Sequence, residues 1–414
     1  MEDLAERLVR YCALASQSDP AGSQEVPSTP SQHAMAAVLA QDLTALGAHD
    51  VTLSEHAYVT AHWPASPGME GCCRLGLCAH LDTAWQAAGD PVRPRVVTYE
   101  GGPLVMGEAN GETVRVTPEE EPVLLGLAGT DIVTGDGTSL LGGDDKAGIV
   151  EIMAYLERLS KDPAILHPPL AVAFVPDEEI GHGAALLDLE AWGASWAFTL
   201  DTGPVGECAF ETFNACDAFV DVRGRAVHTG WAKGALVNAC EAFARFHGLL
   251  PPVERPEHTC GREGFFHLVS MEGDCEAAHA RYIVRDHDRE RFERRCALME
   301  EACAFVNRLL GPGTVSVRLE QTYRNMGEKI AGHPELEKAA LGAFRDAGIE
   351  PSVVAMRGGT DGAQLAFRGL PCPNISAGYH LAHSRREFVS VREMEAMVDV
   401  LEHLGRRLCV KPGG

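Results

Sequence analysis

The chain has 414 residues, 45% of them apolar and 23% charged. These are ordinary proportions for a soluble globular protein, at a length that favours two domains over one core. A formal net charge of −24 disfavours nucleic acid and anionic membrane surfaces as partners. The 13 cysteines are odd in number and include no CxxC pair, so neither a disulfide framework nor a thiolate zinc site is expected.

The first stretch, MEDLAERLVRYCALASQ, is amphipathic and begins with acids, without the basic and apolar regions of a signal peptide. No window approaches the roughly 18 unbroken apolar residues of a membrane span. The cytoplasm is therefore the expected location. Apolar spacing predicts helices over Leu4 to Leu14 and Gln32 to Leu46, with Ser31 as N-cap after Pro27-Ser28-Thr29-Pro30. Short alternating runs follow at Val51 to Leu53 and Tyr58 to Trp63. A strand over Arg74 to Cys78 then leads into Ala79-His80-Leu81-Asp82. Cys72, Cys73 and Cys78 lie near His80, but their apolar neighbours favour buried reduced thiols over ligands.

Between Thr83 and Leu140 the text is rich in Gly, Pro and polar residues, and short strands and loops are expected. LLGGDDKAG, Leu140 to Gly148, opens a helix whose apolar stripe carries Ile149, Ile152, Met153, Leu156 and Leu159. An apolar strand, Leu170 to Val175, stops at Pro176 and delivers Asp177, Glu178 and Glu179. Another, Trp196 to Leu200, ends at Asp201-Thr202-Gly203. Acids at the ends of alternating strands and helices indicate a mostly parallel, mixed α/β sheet.

After Gly206 the pattern becomes strand, helix, two strands, helix and strand, which predicts an inserted α+β domain of the split βαβ, ferredoxin-like kind. The expected division is 1–206 and 322–414 for the α/β domain and 207–321 for the insertion. From Arg324 the chain returns to α/β text, including the glycine-rich RGGTDG, Arg357 to Gly362, and a closing helix over Val391 to Leu408.

His80, Asp82, Asp144, Glu178, Glu179, Asp201 and His383 fall near predicted strand ends or helix starts of the α/β domain. Two neighbouring carboxylates repel unless a cation or proton relieves them, so the Glu178-Glu179 pair is either a solvated acidic turn or part of a cation site. Carboxylate and imidazole donors suit borderline divalent metals such as zinc. His80, Asp144 and Asp201 would fill one ion, and Asp144, Glu179 and His383 a second. Asp144 as a bridge would hold the ions roughly 3.5–4 Å apart. Glu178 is then left as general base, taking a proton from a metal-bridging water and passing it to the leaving amine. Asp82 is placed to fix the tautomer of His80.

HLD, GGDDKAG, PDEEIGHG, TLDTG and HSRREF, in that order, resemble the motifs of the M20 metallopeptidases. Within that clan the match is closest to the peptidase T branch, the tripeptide aminopeptidases. It runs almost end to end through PSTPSQ, FETFN, AKG with VNA, YIVRDHD, YRNM and RGGTDGAQLAFRGLPCPN. The resemblance implies zinc ligation by His80, Asp144, Glu179, Asp201 and His383, with Glu178 as proton acceptor and Asp82 as the catalytic aspartate beside His80. It also implies a cis peptide between Asp144 and Asp145. Counting back from Glu387 favours His383 over the nearby His380.

In the inserted domain, His228 and Arg285 match positions on the family's substrate side. His228 could donate to an oxyanion and Arg285 could pair with a peptide carboxylate. An ion pair of Arg285 with Asp286 or Asp288 is the competing account. Asn325, Arg357 and the RGGTDG backbone could grip the peptide, or form only a structural turn. The branch pattern HPGTAKG reads His228-Thr229-Gly230-Trp231-Ala232-Lys233-Gly234 here, which puts substrate preference in question.

The expected activity is a di-zinc aminopeptidase acting on tripeptides, with the inserted domain as a lid. Small peptides are the expected partners, and a homodimer is compatible. A related dipeptidase, carboxypeptidase-like enzyme or N-acyl amidohydrolase is the alternative. A non-catalytic binding protein would not need Glu178 beside a full ligand set. Neither glycine loop has a nucleotide-binding pattern: LLGGDDKAG lacks GK[ST], and RGGTDG is not GxGxxG.

Overall fold

Six apolar residues in a row, Leu170–Val175, form a strand buried at every position. In the computed structural model, which describes residues 3–409, this strand pairs in parallel with Leu75–His80, equally buried throughout. Leu75–His80 pairs in parallel with Trp196–Thr202 on its other side, which in turn pairs in parallel with Asn374–Ser376. Strands buried on both faces favour apolar text, which Leu170–Val175 carries throughout and Leu75–His80 carries up to its terminal histidine. Antiparallel neighbours extend the sheet. Val59–Trp63 and His49–Leu53 lie on one side, and Glu207–Thr212 and Ser352–Met356 on the other. His80, Glu178, Glu179 and Asp201 thus sit at or just past the carboxyl ends of adjacent parallel strands, where α/β sheets place their sites.

The helix Gly143–Lys161 begins with Gly142 at φ +80° and brings Asp144 and Asp145 into its first turn. The peptide between these aspartates is cis. A second sheet in the same unit orders Tyr379–His380, Phe388–Ser390, Thr130–Thr134 and Arg95–Tyr99. It sets the loop that carries His383. The two-stranded hairpin Leu104–Ala109 and Glu112–Val116 follows the sheet's first strand in sequence.

The backbone divides into two units. One takes in the chain up to Phe210, Glu328–Val354 and the chain from Thr360 on. The other comprises Glu211–Gly327 and Ala355–Gly359. In the second unit Phe265–Gly273, Ala277–Asp286, Asn214–Arg223 and Val315–Tyr323 form, in that order, an antiparallel sheet. Helices Ala239–His247 and Arg289–Leu310 contribute Phe243, Phe246, Met299 and Val306 to its core. Their N-caps are Asn238 and Asp288, whose side chains accept from Glu241 N–H and Arg291 N–H. The chain order of these elements is that of a split βαβ fold.

The N-terminal capping expectation is corrected: Pro30, not Ser31, is the N-cap of Ser31–Leu46. The proline ring holds φ at −63°, already helical, so the helix starts one residue early. Cys72 and Cys78 are buried free thiols and Cys73 is half-buried. Among the described residues no helix is long and apolar enough to cross a membrane.

At Gly148 the Gly143–Lys161 helix lies close against the sheet. A Cβ there would stand 2.5 Å from Asp145 Oδ1 and 2.6 Å from the Leu200 carbonyl oxygen. Alanine is the better helix former by about 1 kcal/mol. Gly148→Ala should nonetheless lower stability by about 1–3 kcal/mol through overpacking. Urea unfolding midpoints of the two proteins check this, and an unchanged or raised midpoint contradicts it.

Candidate metal centre

His80 ends its strand nearly fully buried, and both ring nitrogens are engaged. Nδ1 lies 3.0 Å from the Asp82 carbonyl oxygen and 3.4 Å from Asp82 Oδ1. A carbonyl can only accept, so Nδ1 carries the proton and Nε2 faces the carboxylates of Asp144 at 3.0 Å and Asp201 at 3.6 Å. The other oxygen of Asp144 stands 3.2 Å from Nε2 of His383, which also meets Glu179 Oε2 at 3.0 Å. One carboxylate therefore faces two imidazoles, one oxygen to each. Tyr379 donates its hydroxyl to Asp201 Oδ1 at 3.2 Å.

These groups are expensive to keep together. Burial pushes the Glu179 carboxyl up to about 7, with the Asp144 charge adding to it and His383 opposing. Burial and the charges of Asp201, Asp361 and Glu179 raise Glu178 well above the carboxylate range. Asp201 is raised by burial and by Asp144. Burial works against ionised Asp144 too, but hydrogen bonds from His383 and His80 hold it low. The same bonds, from Asp144 and Glu179, overcome burial and lift His383 to about 11. Glu179 Oε1 is buried with no hydrogen-bond partner among the described residues.

Imidazole nitrogens facing carboxylate oxygens, an orphaned buried oxygen and an excess of negative charge fit divalent cations. His80, Asp144 and Glu179 offer donor atoms within 4.8 Å of one another, as do His80, Asp145 and Asp201. Asp145 is the weaker donor of the two aspartates. Its oxygens already accept from the backbone N–H groups of His80 at 3.1 Å and Gly148 at 3.3 Å.

Four acids build the surroundings of these groups. Glu387 accepts backbone N–H groups from Leu141, Gly142 and Asp144 at 2.9–3.0 Å, and so holds the turn carrying Asp144. Asp177 sits at φ +55°. Its carboxylate accepts from Ser28 N–H, Ser28 Oγ and Gln32 Nε2, each at 2.6 Å. Asp82 accepts from the N–H groups of Glu178 at 3.0 Å and Glu179 at 3.2 Å. Asp82 thus positions the adjacent glutamates as well as the histidine. Asp361, in RGGTDG, is buried with Oδ1 unpartnered, and burial raises it to about 8, the charges of Asp201 and Asp82 adding to this and His80 opposing. Sequence reasoning passed over Glu387, Asp177 and Asp361 as functional groups. For Glu387 and Asp177 the one signal is an acid inside a motif that also supplies candidate ligands; Asp361 lies in the glycine-rich RGGTDG. His380 is elsewhere: its Nε2 meets Glu393 at 2.8 Å and its ring stacks on Phe388.

Residues 139–407 match the peptidase family M20/M25/M40. The chain is 43% identical over 403 residues to Peptidase T of Shouchella clausii, covering 97% of each. It is 44% identical over 404 residues to Peptidase T of Escherichia fergusonii, again covering 97% of each. The chain belongs to the M20 peptidase family. Within it, this is a metallo-aminopeptidase of the Peptidase T group. The fold agrees with aminopeptidase PepT from Bacillus cereus at a TM-score of 0.76, with 21% identity and 99% of each chain covered. It also agrees with the dinuclear metal binding M20 peptidase YXEP of Bacillus subtilis at 0.64, with 12% identity and 97% of each chain covered.

The substrate-side expectations for this M20 peptidase lie in the second unit, and most are tied to protein partners there. Arg285 donates to the carbonyls of Cys216 and Val284, both at 3.1 Å, and lies over the Tyr323 ring. The competing account, an ion pair with Asp286 or Asp288, is not seen among the described residues: Asp286 takes Arg295 and Asp288 caps a helix. Asn325 accepts from Thr212 N–H and Gly327 N–H and donates to the His287 carbonyl. Arg357 donates to Gly261, Glu263 and Thr259, its guanidinium near the rings of Phe213 and Phe265. His228 is exposed. Its Nδ1 accepts from Gly230 N–H at 3.1 Å, which leaves Nε2–H as an outward donor, and its ring packs on Trp231.

Glu387→Ala would leave three buried N–H groups without an acceptor, and should cost at least about 3 kcal/mol of stability. Glu387→Gln keeps one acceptor oxygen and should cost less. Denaturant midpoints rank the parent and the two variants. Equal midpoints for all three would remove Glu387 from this role.

Proposed function

We propose that this enzyme releases the N-terminal residue of tripeptides, using two zinc ions held by His80, Asp144 and Asp201 on one side and by Asp144, Glu179 and His383 on the other. The observation that carries the reading is Asp144, one carboxylate shared between His80 and His383. Zinc bound there supplies Lewis-acid polarisation of the scissile carbonyl and lowers the pKa of water.

The remaining work falls to side chains. Glu178 is half-buried, and its carboxylate has no hydrogen-bond partner among the described residues. It accepts a proton from the attacking water and delivers that proton to the nitrogen of the departing dipeptide, so the acid regenerates its starting form. Asp82 keeps the Nδ1 proton of His80 in place and anchors the backbone of both glutamates. His228, in the second unit, presents Nε2–H outward as a donor suited to a substrate oxygen.

Glu178→Gln should keep its zinc and lose about 10²- to 10⁴-fold in kcat. Glu179→Gln and His383→Ala should lose bound zinc as well as activity. Metal analysis beside kinetics separates the two classes, and a Glu178→Gln enzyme as fast as its parent would refute the assignment. In a panel of dipeptides, tripeptides, amino-blocked tripeptides and acyl amino acids, only tripeptides with a free amino group should be cleaved. Chelation should abolish that activity and zinc should restore it. Removal of zinc should also lower the melting temperature, because the buried carboxylates lose their counter-charge.

A further inference from the structure

In the second unit two periodicities meet at a pair of sulfurs. On the strand Asn214–Arg223, Cys216, Ala218 and Val220 alternate onto the core face. On the helix Arg289–Leu310, Phe292, Cys296, Met299 and Cys303 recur at helical spacing and pack on the same core. Strand alternation and helix periodicity thus bring Cys216 and Cys296 face to face, their Sγ atoms 3.6 Å apart. Both are free thiols, Cys216 buried and Cys296 half-buried. In sequence they are 80 residues apart.

We propose that Cys216 and Cys296 are an oxidant-responsive pair, which hydrogen peroxide closes into a disulfide that braces the helix Arg289–Leu310 against the strand Asn214–Arg223. The pair takes no part in the proposed hydrolysis, whose metal ligands all belong to the first unit. Cys296 reacts first, because it is the one of the two that solvent reaches. The hydrogen bond with Cys216 favours its thiolate, the nucleophilic form, against burial and the charges of Glu300 and Glu293. The thiolate sulfur attacks one peroxide oxygen and the O–O bond breaks. A sulfenic acid remains on Cys296, and the departing hydroxide takes up the proton that the thiol released. The Cys216 sulfur then gives up its proton and attacks the Cys296 sulfur. The S–S bond forms, the S–O bond breaks, and the hydroxyl leaves with that proton as water. In total both thiols are oxidised to one disulfide, and one peroxide is reduced to two waters. Bonded sulfurs stand about 2 Å apart, so the pair has about 1.5 Å to close. A cross-link over so long a stretch of chain strongly restricts the unfolded state, which is the source of the brace.

Zinc-loaded full-length protein is treated with hydrogen peroxide, its remaining thiols are alkylated, and the unreduced digest is read by mass spectrometry. The peptides carrying Cys216 and Cys296 should appear joined, two hydrogens lighter than their sum, and a thiol reductant should separate them. In Cys216→Ser protein the sulfenic acid lacks its resolving thiol, and dimedone should label Cys296 several-fold more than in the parent. The oxidised parent should melt a few degrees above the reduced parent, and the serine variant should lose that shift. Cys216 and Cys296 both alkylated after peroxide, or either one joined to another cysteine, overturns the pair. A link that leaves the melting temperature unchanged overturns the brace. The parent digest involves no substitution, so it decides the pair even where Cys216→Ser folds poorly.

Discussion

Glu387 grips the backbone N–H groups of Leu141, Gly142 and Asp144, and this hold fixes the carboxylate on which both imidazoles converge. The helix that follows Asp144 cannot place it unaided. Gly142 turns the chain through φ +80°, and Asp144 and Asp145 themselves have non-helical backbone angles inside the helix boundary. Three charge-assisted bonds from one buried carboxylate supply the missing constraint. His383, four residues before Glu387, sits at φ +60°, an unusual conformation for a side chain of its size. The same short segment thus contributes one imidazole and the anchor for the carboxylate that the imidazole faces. Moving either would displace both halves of the centre.

The electrostatics of the centre are those of a site shaped around positive charge. Asp145, Glu178, Glu179, Asp201 and Asp361 are all raised by burial, and each is pushed further by a neighbouring carboxylate. Only Asp144 is held low, because it alone takes both histidines. Such a cluster is a poor way to stabilise a fold, since unpaired buried charge costs several kcal/mol per group. A bound cation would relieve that cost, and the oxygens left free to meet one differ between neighbours. Asp145 spends its oxygens on backbone N–H groups, whereas Glu179 keeps Oε1 unpartnered.

Much of this was readable before any coordinates. Leu170–Val175 is apolar throughout and Leu75–His80 up to its last residue, so their ends and the acids beyond them stand out from sequence alone. The supporting acids did not stand out, for a physical reason. Glu387 reaches Asp144 across 243 residues and Asp177 reaches Ser28 across 149, and no periodicity encodes a contact at that separation. Arg285 shows why one alternative stayed open in the sequence. Its acidic neighbours allowed an ion pair, but Asp286 sits on the adjacent position of a strand and faces Arg295. Neighbours along a strand point to opposite faces, so sequence adjacency is weak evidence for pairing there.

That same geometry explains how Glu178 and Glu179 differ despite being adjacent. The chain leaves its strand at Pro176, turns left-handed at Asp177 and enters a single 3₁₀ turn, Glu178–Ile180. In such a turn successive side chains diverge by about 120°. One glutamate can then face Asp144 and His383 while the other faces away from them. Asp82 takes one backbone N–H from each, so their relative orientation is fixed as a unit and not left to rotamer choice. Asp177 completes the arrangement by tying the left-handed residue to Ser28 and Gln32. The two acids thus have different surroundings: Glu179 stands against His383, and the Glu178 carboxylate has no hydrogen-bond partner among the described residues. That difference supports the proposed division between a metal ligand and a proton carrier.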